Sequence, residues 1–324
     1  MQRISILICL LFGIGNTLVA GVYDGAFFRI PSDAVSRSVG GPNPAYPIGA
    51  VDLLINPALL SRHTQKELQF SNMIDLLSKQ YISFAFSAPL NNKNHIGIGV
   101  TGLDNSTPGE SKSKNVRRKE SQQYQFGLII GYSRNLFPFS LGASIKYFRM
   151  RDDRGERWKS TSALGYELGF SYAINPALSA GFIYQSPFYL QWKNGILVKA
   201  SGKIGMGIAW TPAVISENFL QILLSADRFD NEPLQANVGV VVTPITDKLG
   251  LKDFSLRGGI GNFDLKSWGG NAIPNYLRDS ASTFTVGAGL GLDTAGNWGI
   301  DLDYCFQLVE YITNSHIITT RIRF

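Results

Sequence analysis

Ser315-His-Ile-Ile-Thr-Thr-Arg-Ile-Arg-Phe324 reads as one strand with two unlike faces. Strand side chains alternate, so His316, Ile318, Thr320, Ile322 and Phe324 share one side, and Ser315, Ile317, Thr319, Arg321 and Arg323 share the other. That division predicts lipid against the first set and water against the second. A strand left at an open edge would template aggregation, whereas one that closes a barrel leaves no edge. The expectation is a closing strand of a transmembrane β-barrel.

The preceding residues repeat the pattern. Trp298, Ile300, Leu302, Tyr304 and Phe306 alternate with Gly299, Asp301, Asp303 and Cys305. A soluble β-sandwich would accept that single segment equally well, with the apolar face turned inward. Repetition separates the two readings. Leu164 to Tyr172 alternates around Gly165, Glu167 and Gly169, and Tyr124 to Tyr132 alternates around Gln125, Ile129 and two glycines. Phe284 to Leu292 alternates around Thr285 and three glycines, and Val198 to Trp210 reads as one strand alternating around Lys199, Ser201, Lys203, Gly205 and Gly207. From about Lys66 onward roughly fourteen such segments follow one another, each long enough to cross a bilayer at a tilt, where soluble strands average about five or six residues. Short turns near 89–94, 134–138, 175–177, 212–218, 244–252 and 294–297 interleave with longer polar loops at 105–120, 151–160 and 262–280. This is the two-ended asymmetry of an outer-membrane barrel. The short connection at 75–78 fits it poorly. Phe324, with Ile322 on the same face, resembles the C-terminal insertion signal of outer-membrane proteins. That resemblance implies recognition by the barrel-assembly machinery.

The address at the other end agrees. Arg3 precedes an apolar run from Ile4 to Phe12, with small residues at Ala20 and Gly21, so residues 1–20 read as a signal peptide. No later stretch approaches the roughly 20 apolar residues of a membrane helix. Removal of the signal leaves Cys305 as the lone cysteine, which excludes an intramolecular disulfide. The chain has 34 Gly, 20 Phe, 13 Tyr and 5 Trp, only 17% charged residues and a mean hydropathy of +0.03. Such a balance suits strands that face lipid on one side and a polar lumen on the other. The net charge of +6 points to anionic lipopolysaccharide or solutes and not, in an exported barrel, to nucleic acid. Outer-membrane lipid is the surrounding partner.

Residues 21–65 do not alternate, and 66–324 form the expected barrel. Gly40-Gly41 precedes Pro42, Pro44 and Pro47, whose missing amide donors break strands. Apolar groups at Phe27, Phe28, Ile30, Leu53, Leu54, Ile55, Leu59 and Leu60 need somewhere to pack, and a hatch inside the lumen satisfies them. Ala26-Phe-Phe-Arg-Ile-Pro31, the Gly40-Gly41 pair, and Asn56-Pro57-Ala58 after Gly49-Ala50 stand in that order. In this order they resemble the N-terminal region of the PorV/PorQ family, related to the FadL-like outer-membrane transporters. The resemblance implies a fourteen-stranded barrel with an N-terminal hatch bearing the Asn-Pro-Ala motif. The three prolines depart from the usual family pattern. A second Asn-Pro-Ala, at Asn175, is a plain turn.

Catalytic chemistry is not visible. His63, His95 and His316 are scattered, so neither a nucleophilic triad nor a metal cluster can be assembled, and no cofactor is expected. Gly287-x-Gly289-x-Gly291 has strand period and relieves crowding inside a barrel; no helix follows to hold a phosphate. Inward charges are expected at Glu167, Lys199, Lys203, Arg257, Asp301, Asp303, Arg321 and Arg323. They either hold the hatch by pairing or attract the carboxylate of a ligand whose tail lies on apolar hatch residues. The resemblance implies conduction of small hydrophobic molecules, long-chain fatty acids among the candidates. Through PorV it also implies an alternative: a type IX secretion component that binds secreted proteins through external loops 105–120 and 262–280.

Overall fold

The computed structural model describes residues 33–75, 80–104, 123–152, 159–191, 197–212, 219–230, 233–244, 253–264, 283–293, 298–309 and 314–324. The signal segment 1–20, Phe27, Phe28, Ile30 and most of the loops singled out above lie outside these residues.

The strands are β1 (Glu67–Asp75), β2 (Gln80–Pro89), β3 (Asn94–Asp104), β4 (Gln123–Leu136), β5 (Phe139–Asp152), β6 (Lys159–Asn175), β7 (Leu178–Gln185), β8 (Phe188–Gln191), β9 (Leu197–Ala200), β10 (Lys203–Trp210), β11 (Leu220–Phe229), β12 (Gln235–Val242), β13 (Asp253–Asp264), β14 (Thr283–Asp293), β15 (Gly299–Val309) and β16 (Asn314–Arg323). All except β8 and β9 join in one closed antiparallel barrel of fourteen strands. The ring closes between β1 and β16, with Glu67 opposite Arg323 and Asp75 opposite Ser315. Lys66 and Phe324 exchange both backbone hydrogen bonds just beyond that seam, at 3.1 and 3.0 Å. We call this rim, where β1 begins and β16 ends, the lower rim.

Alternation puts the apolar set outside. Ile130 is 56% exposed, Ile145 63%, Leu164 69% and Val286 64%, while Ile129, Ser144, Glu167 and Thr285 on the opposite faces are buried. An apolar exterior around a partly polar interior is the inverse of a soluble sandwich and the arrangement of a barrel in lipid. Aromatic rings gather toward the lower rim, where Phe139 stacks on Tyr172 at 4.7 Å and Trp298 on Phe324 at 5.1 Å between centroids.

One expected strand is two elements. Val198–Trp210 breaks after Ala200: β9 leaves the wall to pair with β8, and β10 begins at Lys203. Gly202 sits at the break, tied to Asp230 by its amide at 3.1 Å and by its carbonyl at 3.2 Å. The face assignment therefore holds from Lys203 onward, and Lys199 is not on a barrel strand.

Residues 33–63 run across the inner face. Asp33 caps helix α1 (Ala34–Ser38) by accepting from the Ser36 amide at 2.8 Å. Gly40, at φ 88°, lets the chain leave that helix in the left-handed region. Helix α2 (Asp52–Ile55) is followed by a 3-10 turn, Pro57–Arg62. Inward glycines of the wall make room for this backbone. A Cβ at Gly181 would stand 2.0 Å from the Pro44 carbonyl oxygen, one at Gly142 2.3 Å from the Ala58 amide, and one at Gly239 2.4 Å from the Val39 carbonyl oxygen.

Candidate functional site

Above α1, in the half of the barrel away from the lower rim, the inner face turns apolar. Met73 of β1, Tyr81 of β2, Phe148 and Met150 of β5, Ala163 of β6, Cys305 of β15 and Ile317 of β16 form one buried cluster with Ala34. The β8–β9 hairpin completes it from within, contributing Phe188, Leu190 and Ala200, each at most 5% exposed. Gly165 admits the hairpin: a Cβ there would lie 2.0 Å from Phe188 Cε1. The upper inner face is thus an apolar lining against which the chain's own hairpin packs.

Its floor carries a cation. Arg37 of α1 lies within electrostatic reach of Tyr81, Cys305 and Asp33, and burial pushes its pKa down to about 10. Its Nε is buried without a hydrogen-bond partner, and its guanidinium makes no ion pair among the described residues. Burial likewise pushes the Asp33 carboxyl up to about 6, against the hydrogen bonds from Ser36. A guanidinium with an unsatisfied Nε beneath an apolar lining is suited to the carboxylate of an amphipathic molecule.

The other inward charges are matched. Lys146 Nζ lies 2.5 Å from Glu167 Oε1, with Ser144 and Gln185 completing the set. Lys203 meets Asp227 at 3.1 Å, Arg257 meets Asp303 at 2.7 Å, and Asp301 accepts from Arg321 and Arg323 at 2.7 and 2.9 Å. Arg321 also donates to the Ile48 carbonyl, tying the wall to the hatch. Lys199 instead pairs with Asp230 at 2.8 Å with both side chains largely exposed, because its strand has left the wall. Ion pairs buried on this scale need their partners, so these groups brace the wall and hatch.

Asn56 anchors the hatch. Its Oδ1 caps the 3-10 turn by accepting from the Ala58 amide at 3.1 Å, and its Nδ2 donates to the Pro44 carbonyl at 2.7 Å and the Phe170 carbonyl at 3.1 Å. Pro57 and Ala58 bring the chain against Gly142. Gly40 receives a matching fixture, its amide donating to Thr285 Oγ1 at 3.1 Å, while Gly41 packs on the Asn237 side chain. Ile322 and Phe324 lie on the outer side of β16 and at its end. Sequence reasoning missed Arg37 and Lys146. For Lys146 the signal was present, since it shares the inward parity of Ser140, Ser144 and Phe148; Arg37 stands in a segment with no period.

No protein-family model matches the sequence, and no curated protein matches it. Solved structures do resemble it. The CymD monoaromatic hydrocarbon channel superposes with a TM-score of 0.62 at 12% identity, covering 93% of this chain and 98% of its own. This chain has the fold of that channel. The toluene transporter TbuX of Ralstonia pickettii gives 0.60 at 14% identity over 90% and 97% of the two chains, and a FadL homologue of Pseudomonas aeruginosa 0.60 at 10% over 96% and 99%. At these identities the likeness concerns architecture, and the chemistry of the lumen must be read from this chain's own residues.

Proposed function

We propose that this protein is an outer-membrane channel that conducts small hydrophobic molecules, with preference for those bearing a carboxylate, long-chain fatty acids among them. The observation that carries the reading is the apolar lining of the upper lumen with Arg37 beneath it, whose Nε has no hydrogen-bond partner among the described residues. A ligand tail gains about 0.8 kcal/mol per methylene on leaving water for such an apolar lining. Its head group would pair with the Arg37 guanidinium, and a charge-assisted pair formed away from water outweighs a neutral contact. The hydrocarbon and toluene channels that share the fold support hydrophobic cargo in general. They do not select among cargo classes, and Arg37 is the reason to favour acids.

Titration of the purified protein with a fluorescent long-chain carboxylate, against the alcohol of equal length, tests this. Tighter binding of the acid by about tenfold, lost in Arg37→Gln, is expected from one charge-assisted hydrogen-bond pair. Equal affinity for acid and alcohol, or equal uptake of labelled fatty acid by cells with and without the inserted protein, would refute it. The secretion-component reading depends on loops outside the described residues; co-purification of secreted proteins would favour it.

A further inference from the structure

A cavity opens at the lower rim, on the far side of the hatch from the apolar cluster. Its volume is about 930 Å3, and it lies where the hatch fails to fill the barrel. Tyr46, Leu59 and Arg62 form the hatch side, and Ser171, Ser179 and Ala209 the inner side of the wall. Among the described residues its lining is mostly apolar and contains no acidic side chain, and Arg62 is the one charged group. The Arg62 guanidinium makes a single long hydrogen bond, Nη2 to the Pro138 carbonyl at 3.4 Å, and no ion pair among the described residues. Partial burial already disfavours its charge. The cavity is thus a mostly apolar slot with one underused cation, of a size that holds one small ligand and not a two-chain lipid.

We propose that this lower-rim cavity is a distinct binding site for a single-chain carboxylate amphiphile, with Arg62 holding the head group and the tail lying along Tyr46, Leu59 and Ala209. Planar guanidinium and planar carboxylate match in a two-point pairing that lysine would not reproduce. The site is separate from the apolar lining at Arg37; it rests on the channel reading only for its place on a path, as the station reached after the hatch. Anionic phospholipid offers a similar pairing from the surrounding membrane. The slot's volume commits the occupant to the single-chain acid.

The test is photolabelling of the full chain with a long-chain fatty acid carrying a mid-chain diazirine, followed by peptide mapping. Labelling is expected at peptides around Tyr46, Leu59 and Ala209, and separately around Phe148 and Phe188. In Arg62→Gln the lower-rim label should fall about tenfold while the upper label persists, and Arg62→Lys should recover only part of it. Heat-modifiable migration on a gel verifies that each variant is folded. Free fatty acid should displace the lower-rim label, with the equal-length alcohol and phosphatidylglycerol each about tenfold weaker. An alcohol or phospholipid that competes as well as the acid overturns the proposal, as does a lower-rim label unchanged in Arg62→Gln. Upper label without lower label removes this site and leaves the channel reading standing. Lower label without upper label does the reverse.

Discussion

Asn56 shows how much one side chain can settle. It caps a turn, binds Pro44 within the hatch and reaches Phe170 in the wall, all while wholly buried. Asn56→Ala should lose about 1–3 kcal/mol, because two carbonyls and an amide lose a partner away from water; protease sensitivity of the hatch in the folded barrel measures it. Gly169→Ala attacks the same joint from the other side, since its Cβ would lie 2.0 Å from Asn56 Oδ1. It should expose the hatch at least as much while leaving the strands intact by circular dichroism. Sequence pointed to Asn56 only through the motif Asn56-Pro57-Ala58 and its resemblance; that it caps a turn and bridges to the wall depends on Pro44 and Phe170, which periodicity cannot bring to it. Arg37 was not legible, because a lone cation outside any period carries no information about whether an acid will reach it.

Among elements, the β8–β9 hairpin and the α2–β1 junction carry the most consequence. Phe188→Ala should cost about 3–5 kcal/mol as a buried aromatic is lost and, by loosening the hairpin, speed ligand entry; thermal melting and uptake rates read the two effects. At the junction, His63 faces a carboxylate with each ring nitrogen: Nε2 lies 2.6 Å from Asp52 Oδ2 in the hatch and Nδ1 3.5 Å from Glu67 Oε1 in β1. Burial opposes its charge, but the Asp52 hydrogen bond and the charges of Asp52 and Glu67 outweigh burial and the opposing Arg321, so its pKa is raised. His95 approaches from β3, donating to the His63 carbonyl at 2.7 Å. A raised pKa means that the imidazolium clip is fully present below the ordinary histidine value of about 6.5 and is lost as pH climbs through the higher folded value. Thiol labelling of a hatch cysteine should therefore increase from mildly acidic to alkaline pH, and His63→Gln should flatten the response. An unchanged labelling rate across that range in the parent protein would exclude the clip. Strand periodicity foresaw neither element: alternation ran unbroken through Val198–Trp210, since β9 keeps strand geometry after leaving the barrel.

At the scale of the whole molecule, the ring of fourteen strands and its inside-out polarity were legible, because Trp298–Phe306 and its like repeat one binary pattern that only a closed barrel satisfies everywhere. What the lumen holds was less so, because inner contacts join residues far apart in sequence. Asp301 gathers Arg321 and Arg323 beside the closing seam. Asp301→Asn should cost about 1–3 kcal/mol by weakening charged hydrogen bonds, read as a lower temperature for the gel shift of the barrel. The seam also dictates an order of events. Glu67 finds its partner at Arg323, so the ring closes only when two strands far apart in sequence meet around the segment that precedes β1. Contacts of such separation form slowly. The interior must then be packed by a ring that closes around it. A wall glycine enlarged at Gly142 or Gly181 should accordingly delay closure itself, and pulse-chase kinetics of the compact form would record an assembly defect before any loss of transport.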